Sequence, residues 1–266
     1  MSIKNLMNLK GQRAMVTGAT GGLGTVIAET LAELGSDLIL VDRDKVEIEV
    51  LCSRLSDTFG VSIIGSVCDL EQQDQREVLI NGIVSDGQEL NVLINNAAFV
   101  GTSNLTGWNA PFTEQSVETW RRALEVNLVA PFEMCRGMSQ LMRVSQGANM
   151  INIASIYGQY GPDWRMYENT NMNNPAAYGA SKAGLIQLTK WLSTTLAPDI
   201  RVNAISPGGV FTGQPNQFVD SYCSRTPLGR MADYGDFRGG VTFLATDLAE
   251  YVTGQVLNID GGWGVW

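Results

Sequence analysis

The sequence predicts a single-domain α/β protein built on a doubly wound parallel sheet, and three observations lead there. Seven short β-branched or apolar runs alternate with helix-like stretches, which makes βαβ units and parallel pairing. Those runs lack polar alternation, as strands covered by helices on both faces must. Hydrophobic residues make up 44% and charged residues 17% of the 266, enough for a sizeable core without any stretch of disordered composition. That length suits one α/β domain.

The first strand is RAMVTG (13–18), and the stretch TVIAETLAEL after it has helical apolar spacing and stops at Gly35. DLILV (37–41), VSIIGSV (61–67), NVLINN (91–96) and NMINIAS (149–155) supply four more strands. AAYGASKAGLIQLTKWLSTTLA then gives about six helical turns before Pro198, followed by strands IRVNAIS (200–206) and QVLNID (255–260). Two segments, 99–111 (FVGTSNLTGWNAP) and 159–175 (QYGPDWRMYENTNMNNP), read as long loops. No repeat or linker divides the chain, so residues 1–266 are expected to form one domain.

Composition excludes several functions. A net charge of −9, from 27 acidic and 18 basic side chains with no Lys/Arg run, does not suit a nucleic-acid partner. The absence of histidine removes His-based triads and the usual zinc sites, so proton chemistry falls to Tyr, Lys, Ser, Asp or Glu, and no metal is expected. Cys52, Cys68, Cys135 and Cys223 are too scattered for a disulfide framework or a metal cluster and read as reduced structural thiols. MSIKNLMNLKGQR has no apolar leader and no window spans a bilayer, so a cytoplasmic location is expected.

TGATGGLG (17–24) joins the first strand to the first long helix, where backbone N–H groups and the helix dipole suit a pyrophosphate. Gly18, Gly22 and Gly24 allow the tight turn and a close ligand approach. Asp42 ends the second strand 18 residues beyond Gly24, at the place where an acid grips a ribose 2′-hydroxyl and repels a 2′-phosphate. This favours NAD(H), while the adjacent Arg43 keeps NADP as the less favoured alternative; Asp42 could also serve as a helix cap.

Four tyrosines crowd 155–182. If the stretch from Pro175 is helical, Tyr157, Tyr160 and Tyr167 have Gly161, Trp164 and Asn171 one turn on, and only Tyr178 has a cation, Lys182. A neighbouring positive charge favours phenolate and lowers the tyrosine pKa, making Tyr178 the candidate general acid/base.

YGASK (178–182), with TGATGGLG, NNAA (95–98), VNL (126–128), IAS (153–155) and PGGVFT (207–212), resembles the short-chain dehydrogenase/reductase family over nearly the whole chain. The resemblance implies a Rossmann-type seven-stranded sheet, a nicotinamide cofactor and a catalytic set of Ser155, Tyr178, Lys182 and Asn127. Ser155 would orient the substrate oxygen, Tyr178 exchange its proton, Lys182 lower the tyrosine pKa and hold the nicotinamide ribose, and Asn127 maintain a water relay to that lysine. By the same likeness Gly18, Thr20, Gly22, Leu23, Gly24, Asp42, Arg43, Asp69, Leu70, Asn95, Ala97, Tyr178, Lys182, Pro207, Gly208, Val210 and Thr212 would bind the cofactor. Ala98 departs from the family, which usually has glycine there.

The 22 residues between Ser155 and Tyr178 are a longer interval than the family's usual one, and 159–175 reads as an active-site insert. Ser155, Tyr157, Trp164 and Arg165 are the candidate substrate contacts. Within the insert Asp163, Trp164, Arg165, Tyr167 and Glu168 offer hydrogen bonds, a stacking face and a cation, a mixture suited to a polyhydroxylated or anionic ligand; a loop packed on its own aromatics is the other reading. The insert, FVGTSNLTGW (99–108) and the tail TGQVLNIDGGWGVW are similar to a branch of the family associated with bacterial flagellin-glycan and surface-sugar biosynthesis. That likeness implies a sugar, amino sugar or sugar phosphate whose hydroxyl and ketone interconvert by hydride transfer. Alternatives are an epimerase or dehydratase, for which 266 residues leave no substrate domain, a catalytically silent nucleotide-binding sensor, and a reductase of a non-sugar carbonyl. The family likeness further implies a homotetramer.

Overall fold

The computed structural model describes every residue except Thr102. In chain order the elements are α1 (Ile3–Leu6), β1 (Arg13–Thr17), α2 (Gly22–Glu33), β2 (Asp37–Asp42), α3 (Lys45–Phe59), β3 (Ile63–Val67), α4 (Gln73–Ser85), β4 (Val92–Asn95), α5 (Val117–Leu124), α6 (Ala130–Arg143), β5 (Asn149–Ile153), α7 (Ala176–Leu196), β6 (Arg201–Pro207), α8 (Asn216–Arg225), α9 (Arg238–Ala245) and β7 (Val256–Ile259). The strands form one sheet in the order β3-β2-β1-β4-β5-β6-β7, every pair parallel. Each strand expected from sequence is present, with ends shifted by a residue or two. This is a Rossmann-type single domain.

Strand alternation explains the runs without polar residues. Ala14 and Val16 of β1 and Leu38 and Leu40 of β2 pack with Ile27 and Leu31 of α2, Leu51 and Leu55 of α3, and Val241 and Leu244 of α9. Their neighbours Met15, Ile39 and Val41 point the other way, into Ile83 of α4, Met134, Met138 and Met142 of α6, and Leu192 and Leu196 of α7. Both faces are covered, so polar alternation would put unpaired groups in a core.

The strand order reverses at β1, which has β2 on one side and β4 on the other. Crossovers leave that point in opposite directions and open a crevice beyond the strands' carboxyl ends, where ligands of such sheets sit. Three other features shape the crevice. α5 runs into α6 through a π-helical turn, Glu125–Val129. α7, 21 residues long, starts beneath the 159–175 loop. That loop holds a single short 3₁₀ turn, Trp164–Met166.

Candidate active site

A cavity of about 930 Å³ occupies the crevice. One half is built from strand ends and the start of α2. Gly18 has φ +63°, and a side chain there would come within 2.7 Å of the Ala97 Cα. At Gly24 an added methyl would collide with the Gly18 carbonyl oxygen, so the turn closes on itself only with glycine at both positions. Gly21, the residue before α2, offers no side-chain cap. The first N–H groups of the helix therefore have no side-chain partner at the cavity wall, which is the donor set a pyrophosphate needs. The cradle fits a dinucleotide.

Asp42 sets the shape of that loop. One carboxylate oxygen accepts from the Thr20 N–H at 3.0 Å and the Thr20 hydroxyl at 2.8 Å, and the other accepts from the Arg43 N–H at 2.8 Å. Arg43 is exposed, lines the same end of the cavity and makes no ion pair among the described residues. Asp69 and Leu70 line the wall beyond β3. Their loop is anchored by the buried Arg76, which donates to the Leu70 carbonyl at 2.6 Å while pairing with Glu125 at 2.5 Å and Glu133 at 2.6 Å. Every residue expected at the cofactor lines the cavity except Asn95.

Asn95 is a correction. Its amide donates to Asn152 Oδ1 at 2.8 Å, across the β4–β5 register, and to Cys135 Sγ at 3.3 Å, so it points into the sheet's covered face. The next residue does the work expected of it: Asn96 Nδ2 donates to the carbonyls of Thr17 and Gly18 at 3.0 and 2.9 Å and braces the glycine turn from behind. Alternation along a strand puts neighbours on opposite faces, and the doublet alone does not say which is which.

Ser155, Tyr178 and Lys182 meet where β5 ends and α7 begins, and all three line the cavity. Ser155 is buried and accepts the Tyr157 N–H at 3.2 Å. The Lys182 Nζ, 5.8 Å from the centre of the Tyr178 ring, donates to the Ile153 carbonyl at 2.7 Å. Burial pushes the ammonium down to about 7. Burial also pushes the Tyr178 hydroxyl above its ordinary range, with the neighbouring Ser155 hydroxyl opposing. Burial, opposed only by the hydrogen bond with Ser155, sets the direction of the shift, which is opposite to the depression expected from sequence.

Asn127 lies behind this group, fully buried on the π-helical turn and outside the cavity wall. Its Oδ1 accepts the Phe99 N–H at 2.8 Å; its Nδ2 donates to the Phe99 carbonyl at 3.1 Å and to Ser181 Oγ at 3.0 Å. It thereby clamps the 99–111 loop to the residue next to Lys182, without bonding the lysine. A π turn at such a place is a frequent mark of function.

The other half of the cavity is made by loops. Asn109 accepts the Asn173 N–H at 2.7 Å and donates to the Asn171 carbonyl at 3.4 Å, tying 99–111 to 159–175. Tyr157, Tyr167, Asn174, Phe218, Tyr222 and Met231 form much of the wall. Tyr222 accepts the Gly209 N–H at 2.5 Å and so fixes the loop after β6 that carries Pro207, Gly208, Val210 and Thr212. Sequence reading placed Tyr167 in the insert's polar and aromatic mixture but missed Asn174, Phe218 and Tyr222; no spacing rule links them, since α8 and the insert are brought together by tertiary packing.

Two expected substrate contacts are also corrected. Arg165 is exposed and bidentate on Asp163, at 2.8 and 2.6 Å, and Trp164 is more than half exposed with its ring 5.5 Å from Tyr167; neither reaches the cavity wall. Asp163 caps the 3₁₀ turn and also pairs with Arg225 at 2.9 Å, whose guanidinium lies over Trp263. The local charge pair holds the Arg165 side chain outward.

A parallel sheet with this order, a glycine turn opening α2 and a Ser–Tyr–Lys group at the crevice define a dinucleotide-dependent oxidoreductase. The family model described as Enoyl-(Acyl carrier protein) reductase matches residues 18–264, and the chain belongs to the short-chain dehydrogenase/reductase family, whose members are NAD(P)-dependent. A tropinone reductase homolog of Arabidopsis thaliana is 33% identical, the alignment covering 97% of this chain and 94% of that protein. Among solved structures, one assigned as an NAD(P)-dependent gluconate 5-dehydrogenase from Beutenbergia cavernae, with bound NADP, is 30% identical with a TM-score of 0.87 over 98% of this chain and 100% of that one. An NAD⁺-bound xylitol dehydrogenase is 29% identical with a TM-score of 0.83, over 96% and 99%.

Proposed function

We propose that this protein interconverts a secondary alcohol and a ketone, with Tyr178 as general acid/base and the carbon skeleton of a sugar or polyol as substrate. The observation that carries the reading is the meeting of Ser155, Tyr178 and Lys182 in the same cavity as the glycine cradle. A bound nicotinamide supplies or accepts the hydride at its C4. In the reducing direction the Tyr178 hydroxyl gives its proton to the carbonyl oxygen while the Ser155 hydroxyl donates a hydrogen bond to that oxygen as charge develops. Lys182 sits against the tyrosine and the cofactor side of the cavity; Asn127 positions Phe99 and the turn of α7 that carries Lys182. Tyr178→Phe should bind NADH as tightly as the parent and lose at least a hundredfold in kcat; turnover kept in the variant, followed at 340 nm, defeats the assignment.

NAD(H) is the proposed cofactor form, on Asp42, whose charge at the end of β2 opposes a 2′-phosphate. One similar structure holds NADP and another NAD⁺, so the discriminating number is kcat/KM for NADH against NADPH; a preference for NADPH would make Arg43 the phosphate ligand. The gluconate and xylitol enzymes support a polyol-like substrate. The surface-glycan role rests on the likeness of 99–111, 159–175 and the tail, with 159–175 as the active-site insert. A sugar phosphate loses support from the structure, since Arg165, its expected cation, pairs with Asp163 outside the cavity.

A homotetramer is proposed from exposed aromatics on successive helices, Trp120 on α5, Phe132 on α6 and Trp191 on α7, with Val265 and Trp266 at the tail. Light scattering that returns a monomer would remove it. No helix among the described residues is long and apolar enough to cross a membrane, which fits the cytoplasmic location proposed.

A further inference from the structure

The walls of the cavity differ in charge from end to end. Asp42, Arg43, Asp44, Glu47 and Asp69 all line the end near β2 and β3, whereas the wall made by the insert, α8 and the loop after β6 carries no ionisable group except tyrosine phenols. The cations closest in sequence to that wall are paired elsewhere, Arg165 and Arg225 with Asp163 and Arg230 with Asp236.

Within the uncharged wall one hydrogen-bond chain links Asn174 to two phenols. Asn174 Nδ2 donates to the Tyr167 hydroxyl at 3.1 Å, and that hydroxyl lies 2.7 Å from the Tyr157 hydroxyl. Tyr167 is buried and has no other hydroxyl partner among the described residues. An amide N–H can only donate, so the Tyr167 oxygen accepts from Asn174. Tyr157 and Tyr167 both line the cavity, so either phenol can donate to the other, and whichever does leaves its partner's hydrogen facing the cavity. The pair therefore holds one phenol hydrogen without a protein acceptor, at a wall where Tyr157 stands two positions beyond Ser155. Burial pushes the Tyr157 phenol far above its ordinary range, so it stays a donor at any working pH.

We propose that the Tyr157–Tyr167 pair, held by Asn174, is a specificity-determining donor to a second oxygen of an uncharged substrate, the first oxygen being the one held by Ser155 and Tyr178. This rests on the alcohol–ketone reading of the site and narrows it from sugar derivatives at large to neutral hydroxyketones and polyols. A carboxylate or phosphate would enter a wall with no cation to repay its desolvation.

The test uses four probes with the full protein: 4-hydroxycyclohexanone, cyclohexanone, fructose and fructose 6-phosphate. The parent should favour 4-hydroxycyclohexanone over cyclohexanone and fructose over its phosphate. Tyr157→Phe should raise KM for 4-hydroxycyclohexanone about tenfold, leave kcat and cofactor affinity little changed, and move KM for cyclohexanone less than twofold. Tyr167→Phe, which removes the partner of Tyr157, should move the same two KM values in the same sense, the larger of the two effects marking the phenol that meets the substrate. An equal KM rise for both cyclic ketones would reduce Tyr157 to packing, and preference for the phosphate would overturn the uncharged substrate. Calorimetric binding of the same probes to Tyr178→Phe with NADH present reads the preference without turnover. A wrong general base thus shows as activity kept in Tyr178→Phe, and a wrong specificity shows as the wrong order of binding.

Discussion

The two halves of the cavity are built on opposite principles. The cofactor half consists of backbone at strand ends and a helix start, and its side chains mostly brace that backbone: Asn96 holds the glycine turn, Asp42 holds Thr20, and Arg76 holds Leu70. The substrate half consists of side chains on loops, held by one another through Asn109, the Tyr157–Tyr167–Asn174 chain and the ring stack of Tyr222 on Trp263. A ligand that never changes can be met by fixed backbone, while selection among substrates needs side chains that can be exchanged without moving the sheet.

Breaking the cofactor half should have the largest effect. Gly24→Ala places a methyl against the Gly18 carbonyl and 2.9 Å from Asn96 Nδ2, two groups of the frame itself. The turn must open, and NADH affinity should fall by at least a hundredfold, as read by quenching of protein fluorescence, together with a lowered thermal midpoint. Unaltered affinity would show that the turn is less rigid than its packing implies.

Lys182 gives the next effect, on stability. The ammonium pKa is 10.5 ordinarily and about 7 in the folded protein. Between those values the unfolded chain binds more protons, so burying Lys182 costs stability in full below pH 7 and progressively less as pH rises toward 10.5. The whole span amounts to at most about 5 kcal/mol. Lys182→Met should flatten the rise in unfolding free energy between pH 7 and 9, a range below that in which the raised phenols of Tyr157, Tyr178 and Tyr222 titrate. The slope is the readout, because the variant also strands the Ile153 carbonyl. An unchanged slope in urea titrations would mean that water reaches the lysine.

The difference between the halves also explains what the sequence revealed. Glycine spacing, a strand-end acid and a Tyr–Lys pair one helical turn apart are local patterns, legible because the geometry they require spans few residues. Asn95 and Asn96 mark the limit of that legibility, since which of two adjacent residues faces the cleft depends on the register of β4 against β5. Asn174, Phe218 and Tyr222 lie beyond it, and so do the partners of Tyr167. These contacts join segments as distant in sequence as the insert and α8, and an aromatic in a loop or on a short helix carries no sign of the partner that it will meet.

Asn109 tests the substrate half alone. Asn109→Ala cuts the bonds to Asn171 and Asn173 while leaving β1, α2 and α7 untouched. KM for a hydroxyketone should rise about fivefold through looser loops, with NADH affinity unchanged. A matching loss of NADH affinity would show that the halves are coupled, through Phe99 and Asn127.

The smallest expected effect belongs to the residue that sequence reading made the substrate's cation. Arg165 has a side chain 76% exposed and spends its charge on Asp163 two residues away. Asp163 keeps its pairing with Arg225 and its cap on the 3₁₀ turn without it. Exposed pairs of this kind contribute little to stability, and with no contact to the cavity Arg165→Ala should change KM for any substrate less than twofold. Asp163→Asn weakens both arginine pairings at once and should be the more damaging of the two, its loss appearing first as a lower thermal midpoint. A large KM change in Arg165→Ala confined to anionic substrates would mean that the insert swings inward when substrate binds, and the uncharged wall would then describe only one of its positions.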